Sequence, residues 1–206
     1  MLRRKLIATS VAIVTTLVWT APVHGQLSVG LAVGGTYSSM GGGLITATDS
    51  DWGVLMGGYG RYRLQSNLAL QLEGNWVQKG GRGTVQDEPI DLDLDYFEIP
   101  LTAQLAVGLS QRWDWNLYGG IAIAFQTQCD AGAGSGAKTD CEEAAPTWDF
   151  SSTEWSVPFG TSFSYLFSRS ALTADFRYSY GLSAAIDNLD LKNRSWQFII
   201  RWGFEV

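Results

Sequence analysis

Histidine is nearly absent from this 206-residue chain, and the single one, His24, falls in the N-terminal segment. That segment reads as an export leader. Leu2-Arg3-Arg4-Lys5 precedes an apolar run from Leu6 to Trp19, and Ala21-Pro22-Val23-His24-Gly25 follows, which are the basic, hydrophobic and small-residue regions of a signal peptide cleaved after Gly25. The apolar run is shorter than the ~20 residues of a spanning helix. The expected domain organisation is therefore a leader over residues 1–25 and one domain over 26–206. A mature chain without histidine has no Ser/His, Asp/His or Cys/His mechanism and no histidine-ligated zinc. The sequence is read as non-enzymatic, with no catalytic residues, no cofactor and no metal.

Basic residues are scarce too. Once Arg3, Arg4 and Lys5 are set aside, 11 basic residues face 20 acidic ones, a net charge of −9. So acidic a surface is a poor match to nucleic-acid phosphates. Beyond the leader no segment stays apolar for ~18 residues, so no transmembrane helix is expected. Cysteine is limited to Cys129 and Cys141, separated by a Gly/Ala-rich stretch. In an exported protein an even pair reads as a disulfide, with two free thiols as the alternative.

Glycine and aromatic residues are plentiful, 24 glycines with 13% aromatics, which suits many strands joined by tight turns. The stretch 194–206, RSWQFIIRWGFEV, shows the pattern best. One face carries Trp196, Phe198, Ile200, Trp202, Phe204 and Val206; the other carries Ser195, Gln197, Ile199, Arg201, Gly203 and Glu205. A period of two means an extended strand.

Seven earlier stretches repeat that alternation, at 27–37, 52–64, 68–77, 97–107, 115–126, 153–167 and 172–182, giving eight strands. Short turns fall at 65–67, 108–114 and 168–170. Long polar connections fall at 38–51, 79–93, 127–150 and 184–193. An all-β, antiparallel, up-and-down transmembrane β-barrel with eight strands, short periplasmic turns and long extracellular loops has this plan. Trp76, Trp115, Trp155, Tyr165, Tyr178, Tyr180, Trp196 and Trp202 lie on apolar faces near strand ends, where interfacial girdles form. A soluble lipocalin-like barrel would turn these faces inward, and its narrow bore would not hold so many Trp, Phe and Tyr side chains.

The polar faces are then lumenal. An eight-stranded bore is just wide enough to be filled by side chains, and charges inside it must pair. The expectation is a network of Arg61, Arg63, Glu73, Glu98, Asp175, Arg177 and Arg201. Glu73 and Glu98 lie on adjacent strands and would meet as an acid/base pair only without cations nearby; here they are read as salt-bridged. Fourteen of the twenty acids, Asp91, Asp93 and Asp95 among them, fall in the long connections. The alternation of those three lacks the glycine and distal glutamate of an EF-hand loop, so a solvated acidic rim is expected.

The segments Leu72-Glu73-Gly74-Asn75-Trp76-Val77-Gln78-Lys79-Gly80-Gly81, Leu94-Asp95-Tyr96-Phe97-Glu98-Ile99-Pro100-Leu101 and Tyr178-Ser179-Tyr180-Gly181-Leu182, with the aromatic end strand, resemble the bacterial outer-membrane β-barrel domain family often labelled porin-like. The resemblance implies an outer-membrane location and a last strand, Trp196 to Val206, read by the barrel-assembly machinery. The chain departs from the usual terminal Phe or Trp by ending in Val206, which keeps the parity of Phe204. Two functions remain in view: a monomeric barrel with a filled lumen, acting as a structural or surface-binding protein through acidic loops that meet an unidentified extracellular ligand, or a narrow channel for small polar solutes. Outer-membrane lipid is its expected surrounding.

Overall fold

The computed structural model describes residues 27–41, 48–85, 88–108, 110–133, 139–144, 150–186 and 191–206. The leader, residues 1–25, lies outside them, as do Asp87, Asp149, Asp187 and Asp190. In chain order the elements are β1 (Leu27–Gly41), β2 (Thr48–Gln65), β3 (Leu68–Val85), β4 (Glu88–Gly108), β5 (Trp113–Ala133), β6 (Thr139–Asp140), a one-turn helix α1 (Cys141–Ala144), β7 (Thr153–Leu166), β8 (Ser170–Gly181) and β9 (Lys192–Glu205).

All strand pairings are antiparallel. β1 pairs with β2 on one side and β9 on the other, and β4 pairs with β5, so the sheet closes on itself. Eight strands form the ring, in the order β1, β2, β3, β4, β5, β7, β8, β9; β6 merely extends the edge of β5 through Asp130 and Ala131. Each of the eight ring strands is paired on both sides, which is what permits a sheet to cross a bilayer.

Alternation sorts the side chains. Leu31, Met56, Leu72, Ile121, Phe159 and Phe198 are exposed on the outside, while Thr36, Gln71, Thr102, Ser162 and Gln197 are buried inside. Apolar out and polar in is the membrane arrangement, as the sequence pattern predicts.

The strands run further than that pattern suggests at the rim carrying the long connections. The stretch 79–93, expected as a loop, continues β3 and β4 in register from Lys79↔Leu94 to Val85↔Glu88, and β5 carries on to Ala133. The alternation of Asp91, Leu92, Asp93, Leu94 and Asp95 is itself a strand signature, masked by the glycines of β3 opposite. Leu92 and Leu94 point inward and are buried. The barrel wall thus stands well beyond its apolar band.

Candidate functional site

Midway along the bore, Glu73 from β3, Asp175 and Arg177 from β8 and Arg201 from β9 meet, all buried. Arg177 Nη2 donates to Glu73 Oε1 at 2.5 Å, and Arg201 donates to Asp175 Oδ2 at 2.5 Å and to Glu73 Oε1 at 3.2 Å. Glu73 also accepts from Gln71 Nε2 (2.7 Å) and Asn75 Nδ2 (2.9 Å). Tyr118 OH donates to Asp175 Oδ1 at 2.7 Å and accepts from Arg177 Nε at 3.3 Å. Two cations and two anions balance, and the carboxylates gain the additional donors that a buried ion pair needs to offset its desolvation.

Small residues make room for this layer. A Cβ at Gly57 would fall 2.2 Å from Asn75 Oδ1, and one at Gly203 would fall 2.1 Å from the hydroxyl of Tyr59, whose ring lies 6.0 Å from the Arg201 guanidinium.

A second polar layer lies nearer the extended rim. Lys79 Nζ donates to Glu98 Oε2 at 2.7 Å, with both residues buried. Beside them Glu154 from β7 accepts from Tyr96 OH and from Asn193 Nδ2, at 2.7 and 2.9 Å to its two oxygens. Lys79 also sits over the Tyr96 ring, 5.1 Å from its centroid. This layer holds two carboxylates for one ammonium, and Glu154 is satisfied by neutral donors.

Above it the bore is closed by apolar side chains. Met40, Leu92, Leu94, Ile186 and Leu191 cluster over Tyr96 together with Ala131 and Cys141. Cys141 is bonded to Cys129, with their Cα atoms 5.5 Å apart, which ties α1 onto β5 near its rim end. The sequence pattern led to a polar lumen throughout; the cap arises because β4 and the connections carry their apolar residues to the inside.

Outside this capped end, carboxylates crowd the wall. Asp93 stands opposite Asp130, and Asp130 opposite Asp140. Carboxylate oxygens of Asp51, Asp91 and Asp93 come within 4.8 Å of one another, with the Arg82 guanidinium 3.7 Å from Asp51 and 3.5 Å from Asp91. Between Ser50 and Leu55, β2 bulges away from β3, and β1 reaches past it: Thr36 Oγ1 donates to Gln78 O at 2.6 Å and Ser38 Oγ to Gly80 O at 3.0 Å. The bulge leaves a polar pocket of about 340 Å³ whose lining includes Trp52, Gln78, Arg82, Asp93 and Asp95.

Residues 20–187 match the family described as the outer membrane protein beta-barrel domain. The chain belongs to that family. It is a small barrel of the bacterial outer membrane, as the resemblance in its sequence implied. Among solved structures it is similar to the outer membrane protein OprG from Pseudomonas aeruginosa, at 11% identity and a TM-score of 0.55, covering 89% of this chain and 97% of that one. It is also similar to Neisserial surface protein A, at 15% identity and a TM-score of 0.51, covering 86% of this chain and 97% of that one. At such identities the likeness concerns the fold. No curated protein sequence matches the chain.

Of the seven residues expected in one lumenal network of this outer-membrane barrel, four meet: Glu73, Asp175, Arg177 and Arg201. Glu98 belongs to the upper layer with Lys79. It stands opposite Asn75 rather than Glu73, so no carboxylate pair forms. Arg61 sits at the edge, its Nε donating to Gln71 Oε1 at 3.0 Å. Arg63 does not join at all. Close to the turn the inner face opens to water, and Arg63 lies 3.8 Å from Glu205 with their side chains 46% and 49% exposed.

Lys79, Tyr96, Glu154 and Asn193 escaped the sequence reading. Lys79 and Asn193 fell in stretches assigned to loops, yet the parity of Glu73, Asn75 and Val77 carries on to Lys79. Trp196, Phe198, Ile200, Trp202, Phe204 and Val206 of the end strand all face outward and are exposed.

Proposed function

We propose that this outer-membrane barrel conducts no solute and works through its extracellular end, as a structural or surface-binding protein whose acidic wall receives a cationic partner. The carrying observation is the bridge from Arg177 to Glu73. In the ring β8 and β3 are four strands apart in either direction, so the bond crosses the full width of the bore. The apolar cap lies in series with it. Paired charges bridged across the bore fill a lumen of this width, although Arg177 Nη1 and Arg201 Nε are buried without a protein partner. The aspartates aligned across β4, β5 and β6 support the cationic partner, because they set like charges directly opposite one another on the outer wall, an arrangement that a bound cation would relieve.

The test is conductance of the refolded protein in a planar bilayer, with folding checked by heat-dependent gel mobility. Folded protein without current steps is the expected result. Reproducible steps that change on neutralising Arg177 and Arg201 would overturn the reading and favour the second one, a gated conduit. A specific feature supports that alternative: Thr102, Gln104, Asn116 and Ser162, on β4, β5 and β7, carry buried polar atoms without a protein partner, which suits a hydrated lower bore.

A further inference from the structure

The wall across the ring from the aspartates of β4, centred on β8 and β9, carries a different arrangement. On β5, β7, β8 and β9, Leu117, Thr161, Phe176 and Phe198 form one outward row of register partners. Two residues nearer the extracellular rim, Gly119, Phe159, Tyr178 and Trp196 form the next. Thr161 is the short side chain among large ones, and a groove of about 300 Å³ opens there, walled by Leu117, Phe159, Phe176, Tyr178 and Trp196. Its floor is chemically apolar. Thr161 Oγ1 accepts from Trp115 Nε1 at 2.6 Å and donates to Asn116 O at 3.1 Å, so its hydroxyl is spent on the protein.

Gly119, the register partner of Phe159 in the groove wall, sharpens the point. A Cβ there would meet nothing nearer than 3.8 Å, whereas one at Gly160 on the inner face would fall 2.2 Å from Phe176 O. Packing inside the barrel requires Gly160 and does not require Gly119. The room is left on the side that faces lipid.

One row closer to the rim, Arg194 stands opposite Tyr180 with its guanidinium 5.3 Å from the ring centroid. Its Nε is buried without a hydrogen-bond partner. Lys192 shares that face two residues on. From midplane to rim the wall therefore presents an apolar groove, the paired rings of Tyr178 and Trp196 at 4.6 Å, and a guanidinium, each step about 7 Å apart as alternate residues of a strand are. Tyr and Trp mark the membrane interface, and a guanidinium's planar fork suits a phosphate.

We propose that this face binds a phosphorylated, acylated glycolipid of the outer leaflet, of the lipid A type, with its phosphate on Arg194 and one acyl chain in the groove at Thr161. The charge pattern selects that occupant. An anionic head is drawn to the wall bearing Arg194 and Lys192 and repelled by the one bearing Asp51, Asp91, Asp93, Asp95 and Asp130. A zwitterionic phospholipid fits the groove equally well, but brings an ammonium against the guanidinium.

The experiment titrates the purified protein in detergent micelles with lipid A, and in parallel with phosphatidylethanolamine, counting bound lipid by native mass spectrometry. Two outward-facing variants accompany it, Arg194→Gln and Gly119→Leu, each verified as folded by heat-dependent gel mobility. The expected result is one saturable lipid A per barrel, held more tightly than phosphatidylethanolamine. Arg194→Gln should weaken lipid A about tenfold, as loss of a charge-assisted hydrogen bond does, and leave phosphatidylethanolamine unchanged. Gly119→Leu should weaken both lipids by narrowing the groove. Equal retention of the two lipids by the unaltered protein overturns the proposal, as does binding without saturation. So does a loss confined to one of the two variants, because the site requires both head and chain.

Discussion

Arg177 on β8 and Glu73 on β3 join opposite sides of the barrel, with Nη2 2.5 Å from Oε1 in a bore that excludes solvent from both side chains. No ladder hydrogen bond links those two strands. The contact is therefore a strut that resists flattening of the ring, and it depends on both charges being present.

Removing one end of the strut should cost far more than removing both. Arg177→Met leaves Glu73 with Arg201 but strips its shortest partner, and a loss of about 3–5 kcal/mol is expected in urea unfolding of the barrel in lipid vesicles. The double variant Arg177→Met with Glu73→Met should recover a large part of that loss. Additive losses would mean that the two residues act independently.

This strut also marks the limit of what the sequence discloses. The alternation within 194–206 or 68–77 states which side chains point inward, because parity is a local property of a strand. Which inward residues meet across the bore depends on strand tilt and stagger around the ring, a property of all eight strands together. Hence Glu73, Asp175, Arg177 and Arg201 were legible as lumenal, whereas the assignment of Glu98 to Lys79 was not. Arg63 shows the complementary error: inward parity near a turn places a side chain in water at the rim. Lys79 was hidden by its glycine neighbours, since Lys79-Gly80-Gly81 reads as a turn. The register with β4 overrides that local preference.

Lys79 provides the second prediction. It is the cation that hydrogen-bonds Glu98, with Glu154 close by in the same buried layer. Lys79→Met should destabilise the barrel by about 3–5 kcal/mol, and Glu98→Gln added to it should restore part of the difference. The measurement is again the urea midpoint in vesicles, with tryptophan fluorescence as the probe. A neutral effect of Lys79→Met would show that the upper layer is hydrated rather than dry.

The disulfide acts on the cap and not on the membrane-spanning ring. Cys129 and Cys141 are 12 residues apart, and a cross-link closing a loop of that size contributes about 3 kcal/mol in the chain-entropy model. Paired Cys129→Ser and Cys141→Ser substitutions should therefore expose the extracellular end to protease while the ring keeps its heat-dependent gel mobility. Loss of the folded gel form would instead make the bond a requirement for barrel assembly.

Asp95 lies on the outer wall, beyond the apolar band, where burial and the neighbouring carboxylates of Asp93 and Asp130 raise its carboxyl pKa above the usual aspartate value, against a hydrogen bond from Gln78 that lowers it. The folded protein thus holds a proton on Asp95 more tightly than the unfolded chain does. By linkage, stability associated with this group is present below the unfolded-state value and is lost as pH rises through the folded-state value. An uncharged residue of the same shape avoids that loss. Asp95→Asn should accordingly resist urea and protease better than the unaltered protein at neutral pH, and the advantage should vanish when both are compared at a pH below the carboxylate range. The size of the gain is limited because the side chain is only partly buried, so solvent screens its neighbours. If Asp95→Asn proves less stable at neutral pH, the bond to Gln78 outweighs the repulsion, and the acidic wall is better balanced than its row of aspartates implies.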